Sequence, residues 1–193
     1  MILMENTSNV LKGLVEIPNH YELVNELIEQ RNKKKVNIIR YQNQGIYLHN
    51  GPRIIEVMEG KHLVSFKNLT EIPEGKLLSI ERAKALAEKI FHKFNPTYAK
   101  GLTFMRIEQQ KRSFIDENSV EQTFPVQWIK FAHRNGSYNW VTLGANGKLI
   151  EMEIDSRWDY FHGRRQTEMW DNDDWVLARE GKGPQLPSPN ALA

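Results

Sequence analysis

Asp171, Asp173 and Asp174 lie within one four-residue stretch and carry the oxygen ligands that calcium takes. They lack the Gly at the sharp turn and the distal bidentate Glu of a calcium loop, so they read as a solvated acidic loop or a helix cap, and no metal site is expected. His20, His49, His62, His92, His133 and His162 are scattered, and no pair has the spacing of a zinc-binding helix. An enzyme would recruit His133 or His162 as general base, oriented by Glu151, Glu153 or Asp159, with Arg164 or Arg165 holding an anion. The chain shows no nucleophile elbow, phosphate-binding loop or dinucleotide glycine pattern. It also has no cysteine, which removes thiol catalysis, disulfides and Cys-type zinc or iron–sulfur sites. The expectation is a noncatalytic chain with no cofactor. A second chemistry would use Arg31, Lys33, Lys34, Lys35 and Arg40 on phosphates and Phe131, Tyr138 and Trp140 as a stacking platform for single-stranded nucleic acid. Glu151 and Glu153 fall on the same expected face and would repel phosphate, so nucleic acid is the disfavoured alternative.

The 193 residues are 40% hydrophobic and 26% charged, ordinary for one globular domain or two small ones, and the net charge of +2 by itself implies no anionic partner. The opening MILMENTSNVLKG lacks the charged start and apolar run of a secretory signal, and no later stretch approaches the length of a membrane span. A soluble, cytoplasmic protein without a membrane partner is expected. Charge is nonetheless uneven: residues 151–180 hold nine acids and four arginines, a net of −5 against +7 elsewhere. All five tryptophans (Trp128, Trp140, Trp158, Trp170, Trp175) lie in the second half. The acidic segment is expected to dock on its own domain or on a partner.

Asn19 and Glu22 resemble a helix start, and Tyr21, Val24, Leu27 and Ile28 recur at helical spacing, which predicts a helix over 19–31. Four short antiparallel strands follow, broken at Asn43-Gln44-Gly45, Asn50-Gly51-Pro52 and Glu59-Gly60. Pro73 and Gly75 mark a break, and Ser79 caps a predicted helix carrying Ile80, Ala83, Ala87, Ile90, Phe91 and Phe94 on one face. Two Asn-Gly pairs, Asn135-Gly136 and Asn146-Gly147, then predict a three-stranded meander over about 125–154. With two-residue turns Phe131 faces Trp140, and Val141 faces Met152. One face collects Val126, Trp128, Ala132, Val141, Leu143, Ile150, Met152 and Ile154, a core face for the helix. The other collects Ile129, Phe131, His133, Tyr138, Trp140, Thr142, Glu151 and Glu153, too aromatic for solvent and too polar for a dry core. Trp158, Tyr160, Phe161, Trp170 and Trp175 are expected to pack over it, with Arg157, Arg164 and Arg165 meeting Glu151, Glu153 or Asp159, and Asp174 to cap a last short helix through Val176 and Leu177 to Glu180. The fold class is therefore α+β: two small units, each a helix packed on an antiparallel sheet. They occupy residues 1–75 and 76–181, and 182–193 form a flexible C-terminus.

The stretch LLSIERAKALAEKIF, followed by FPVQWIKFAH, SYNWVTL and GKLIEMEIDS, resembles the PepSY family of small α+β domains over about residues 77–155. Ser79, Ala83, Ala87, Gly147 and Asp155 are the matching positions. The resemblance implies a regulatory or inhibitory module that is not itself catalytic. Together these readings point to a noncatalytic binding or regulatory module. A protein partner or self-association would use Phe131, His133, Tyr138, Trp140, Glu151, Glu153, Trp158, Arg164, Arg165 and Trp170.

Overall fold

A computed structural model describes residues 14–193, and the opening segment on which the leader reading rests lies outside them. Among the described residues, eight strands form one antiparallel sheet. In chain order they are β1 (Tyr21–Arg31), β2 (Lys34–Asn43), β3 (Arg53–Glu59), β4 (His62–Leu69), β5 (Leu102–Ile115), β6 (Glu121–His133), β7 (Tyr138–Leu143) and β8 (Leu149–Ser156). Their spatial order is β1-β2-β3-β4-β8-β7-β6-β5. The order is palindromic: two four-stranded meanders meet through their last strands, with Ser65 opposite Glu153, Phe66 opposite Met152 and Lys67 opposite Glu151. This pairing overturns the expectation of two units each with a helix on its own sheet. The chain does change character near Pro73–Gly75, but hydrogen bonding between β4 and β8 makes both halves one layer.

The predicted helix over 19–31 is strand β1, and three strands rather than four follow it. Its turn into β2 has Asn32 and Lys33 at φ 51° and 64°, a primed-turn geometry carried without glycine. As an edge strand exposed along most of its length, β1 has no buried face to impose a two-residue period. Residues 44–52, expected to hold another strand, are a loop with Ile46 and Tyr47 exposed.

Helix α1 (Ile80–Phe94) forms where the sequence predicts it, and the Ser79 hydroxyl accepts from the Arg82 amide at its start. Ala83, Ala87, Ile90 and Phe91 are buried against Ile129, Phe131, Val141, Leu143, Leu149, Met152 and Ile154. The small alanines let the helix approach the sheet, and Phe91 meets Phe131 edge to face at 5.2 Å. Asn95 ends this helix and caps the four-residue α2 (Pro96–Ala99) by accepting from the Tyr98 amide.

The core face differs from expectation along one strand. His133 donates its amide to the Ser137 carbonyl, so the first Asn-Gly loop holds three residues, Arg134-Asn135-Gly136, with Gly136 at φ 85°. The extra residue moves β6 by one position: Lys130, not Phe131, faces Trp140. A one-residue slip sends every side chain of a strand to the other face. Ile129 and Phe131 therefore enter the core under α1, while Trp128 stands beside Trp140 on the opposite face. The second loop also holds three residues, Ala145-Asn146-Gly147, but an irregularity between Thr142 and Leu143 restores the register, and Val141 faces Met152 as predicted. This exchange predicts that Phe131→Ala costs about 3–5 kcal/mol of stability in urea unfolding. Trp128→Ala should cost only about 1 kcal/mol. Equal losses would contradict the assigned faces.

Candidate functional site

The face opposite α1 is half covered by the chain's own C-terminal segment. That segment pairs Trp158–Asp159 (β9) with Arg164–Arg165 (β10) and ends in helix α3 (Asp173–Arg179). Its burial rests on two carboxylates that β8 projects from the middle of the sheet. Glu151 accepts from Arg112 Nε at 2.9 Å and Nη2 at 2.8 Å, and from the Thr142 hydroxyl at 2.9 Å, with Lys67 Nζ at 3.7 Å. Burial pushes its pKa up, but the charges of Arg112 and Lys67 and these hydrogen bonds outweigh it and hold the pKa at about 2. Glu153 accepts from Arg31 Nη2 at 2.7 Å and from Arg165. Arg31 also donates to the Ile154 carbonyl at 2.5 Å.

The acidic segment adds its own pairs. Asp173 accepts both Nη atoms of Arg40 (2.6 and 2.9 Å) and the Asn50 amide (2.7 Å), with Arg53 Nε at 3.7 Å. Burial raises its pKa, yet the Arg40 hydrogen bonds and the charge of Arg53 win and bring it to about 2. Asp171 lies 3.1 Å from Lys67, and Asp174 accepts from Asn50 at 3.0 Å with His49 at 2.9 Å. The three aspartates of the would-be calcium motif thus bind the protein's own donors. Trp175 is fully buried, and Trp170 packs edge to face on it and donates to the Gln30 carbonyl at 2.8 Å. Asn172, rather than Asp174, caps α3 by accepting from the Trp175 amide. Residues 182–193, expected to be flexible, are tied down: Arg165 donates its amide to Pro189, Trp175 Nε1 donates to Leu192, and Ala191 is fully buried. A cleft of about 490 Å³ opens beside α3, lined by Arg53, Lys67, Lys111 and Arg112 with Glu121 and Asp174. Its cations are largely answered by Asp173, Asp171 and Glu151.

The anticipated site residues separate accordingly. Phe131 is in the core. His133 stacks on Tyr98 at 4.1 Å, lies 3.1 Å from the Tyr98 carbonyl and accepts the Asn135 amide, away from Glu151 and Glu153. His162 pairs with Asp159 at 2.6 Å, and Arg164 donates to the Leu186 carbonyl. Trp140, Glu153 and Arg165 do converge, with the Arg165 guanidinium 5.3 Å over the Trp140 ring. Trp158, opposite Arg165, is half-buried.

Beyond Trp140 the segment reaches only Tyr138, and the rest of the face is half-buried rather than sealed. There Trp128 lies 5.6 Å from Trp140, with Arg106 at 5.7 Å and Lys130 at 5.4 Å over its ring. Lys130 is also 4.0 Å over Tyr138. Tyr138 and Tyr160 hydroxyls meet at 2.8 Å, and the β9–β10 tip carries Tyr160 and Phe161 at 76% and 91% exposure. Trp128 and Lys130 were missed because the register placed β6 one residue out, and Arg106 because β5 was not read as a strand, whereas Tyr138 and Trp140 were anticipated. Arg31 and Arg40 of the supposed phosphate track are buried in ion pairs, and Lys34 pairs with Glu59. The β1–β2 turn folds back against β8, with Arg31 on Glu153, the partner of Trp140 across the sheet, and the Asn32 side chain on the Asp155 carbonyl, so the Arg31 charge is spent on the protein's own acid.

One buried acid has no partner. Glu56 of β3, opposite Ile39 and Phe66, is fully buried with neither carboxylate oxygen hydrogen-bonded, and burial raises its pKa to about 7. Its position in IIEVME gives no signal by which sequence could have flagged it. No helix among the described residues is long and apolar enough to cross a membrane.

This arrangement defines a mostly β protein built on one continuous antiparallel sheet, with a helix on one face and its own acidic tail on the other. The model of the YcdB, YcdC repeated domain family (DUF4901) matches residues 4–117, and the chain belongs to that family. The match stops just after β5, so Ser79, Ala83 and Ala87 of the PepSY resemblance fall within it and Gly147 and Asp155 beyond it, and it gives no link to the PepSY family. No curated protein and no solved structure matches the chain.

The titrations give opposite signs. Glu151 and Asp173 have folded pKa values of about 2, below their ordinary 4.5 and 3.8, so their stabilisation is complete above about pH 4.5 and is lost as pH falls towards 2. Urea midpoints should fall across that acid range, and Glu151→Gln should lose about 3 kcal/mol at pH 7 by leaving Arg112 without its carboxylate. Glu56 titrates the other way, from 4.5 unfolded to about 7 folded. Stability should drop by roughly 3 kcal/mol between pH 4.5 and 7 through this group. Glu56→Gln should abolish that drop, and a variant that keeps it would assign the drop to another group.

Proposed function

We propose that the protein is a noncatalytic binding module whose contact surface is the open part of the sheet face: Trp128, Lys130, Tyr138 and Trp140, with Tyr160 and Phe161 projecting beside them. The observation that carries the reading is the incomplete cover. The tail seals the charged centre of the face, yet leaves half-buried rings and cations stacked at its margin, next to a tip whose Phe161 is 91% exposed. Aromatic residues and arginine dominate binding hot spots because they offer large rigid area with a polar or charged edge. A polypeptide partner suits such a surface, and the resemblance to a regulatory domain family agrees with a role in binding rather than chemistry.

The enzyme reading loses its geometry, because His133, His162 and the Glu151/Glu153 pair each serve separate structural contacts. Site-specific photocrosslinkers at Phe161 and Lys130, with Ile80 on exposed α1 as control, test the contact surface in cells. Crosslinks to a discrete polypeptide from positions 161 and 130 but not 80 are expected. The same adducts from all three positions, or none from 161 and 130, would defeat the proposal.

A further inference from the structure

The partner's chemistry can be read from what the same face already holds. Its covered half binds an acidic, tryptophan-bearing segment: Asp171 on Lys67, Asp173 on Arg40 and Arg53, Glu168 on the Asn32 amide, and Trp170 against the Val36–Val64 cluster. The open half offers the same components with a single acid, Glu108. Arg106 and Lys130 both press on the Trp128 ring, and Lys130 on Tyr138. Glu108 answers Arg106, but among the described residues no carboxylate forms an ion pair with Lys130. Burial, and then the neighbouring charge of Arg106, depress the Lys130 pKa. An approaching anion would relieve that repulsion, where a neutral ligand would not.

Resting on the contact-surface reading, we propose that this open half takes an extended acidic segment of a partner protein, its carboxylates between Arg106 and Lys130 and its apolar side chains on Trp128, Tyr138 and Trp140. The patch continues the surface that the tail occupies, since Trp140 is shared: Arg165 stacks on it from the tail side and Trp128 from the open side. Peptide fits better than nucleic acid. Single-strand binders line a groove with cations that follow the backbone, whereas here two cations stand together beside Glu108, and Lys34 of the other basic run is paired with Glu59. Carboxylates spaced along a peptide match a point of concentrated charge, and the flanking rings accept apolar neighbours.

The test uses the full chain and fluorescein-labelled probes read by anisotropy: a peptide copying residues 166–176 (QTEMWDNDDWV), the same peptide with every acid replaced by its amide, and a twelve-residue oligothymidylate. The acidic peptide should bind at least tenfold more tightly than the amide version, and its affinity should fall as salt rises from 50 to 300 mM. The double variant Arg106→Glu/Lys130→Glu should lose at least tenfold, and Arg106→Gln/Lys130→Gln a smaller factor, with unchanged melting temperatures. Equal binding of the two peptides would overturn acid recognition while leaving an aromatic contact surface in place. Tighter binding of the oligothymidylate would overturn it in favour of nucleic acid. Undiminished binding by both double variants would place the peptide elsewhere, on the tail's own site. Crosslinks spread evenly over positions 80, 130 and 161 would instead defeat the underlying contact surface.

Discussion

Two carboxylates at alternate positions of a central strand constrain the rest of this molecule. Glu151 and Glu153 sit on β8, with β4 on one side and β7 on the other, and both are buried. A buried carboxylate left unpaired costs several kcal/mol, and replacing its hydration needs cations that can reach the middle of a sheet. Those cations come from far apart: Arg31 at the end of β1, Lys67 from β4, Arg112 from β5 and Arg165 from the tail. Satisfying two side chains thus ties both edges of the sheet and the C-terminal segment to its centre. The tail cannot be regarded as an appendage, since Arg165 completes a pair that the sheet alone leaves half made.

The same pairing decides what is left for other molecules. Much of the negative charge concentrated in residues 151–180 is spent internally, on Arg31, Arg40, Arg53, Lys67 and Arg112. What emerges at the open end of the face is therefore cationic and aromatic, although the sequence there appears flanked by acids. The objection that Glu151 and Glu153 would repel an anionic ligand loses force once both are neutralised beneath the tail. The choice among anionic partners then turns on how the remaining cations are spaced, and two adjacent cations with one neighbouring acid favour a short acidic peptide.

Much of this was legible in sequence where signals are local. Helix α1 has a capping serine and small residues at helical spacing, the Asn-Gly pairs mark both hairpins, and the joint placement of Trp140, Glu151 and Glu153 on one face follows from strand alternation. Strand β1 was not legible: at an exposed edge its side chains need no two-residue period, and Tyr21, Val24, Leu27 and Ile28 fall by coincidence at helical intervals. The union of the halves was hidden for another reason. Pairing between β4 and β8 joins residues more than eighty positions apart, and no short-range pattern encodes it. Buried Glu56 illustrates the same limit, since its isolation is a property of the packed sheet.

The candidate site itself turned on a single residue of loop length. Asn-Gly is compatible with a two-residue turn and with a three-residue loop whose glycine takes a positive φ, and composition alone does not separate them. Gly136 at φ 85° belongs to the longer loop, and the one-position shift it imposes carries along all of β6. Had the turn been shorter, Phe131 would lie in the open beside Trp140, and Trp128 with its two cations would face α1. A guanidinium and an ammonium stacked on a ring in that dry core would lack both water and counter-ion, an arrangement the core could not hold. The longer loop is therefore the one consistent with where Arg106 and Lys130 must be, and the position of the charges explains the register as much as the register explains the site.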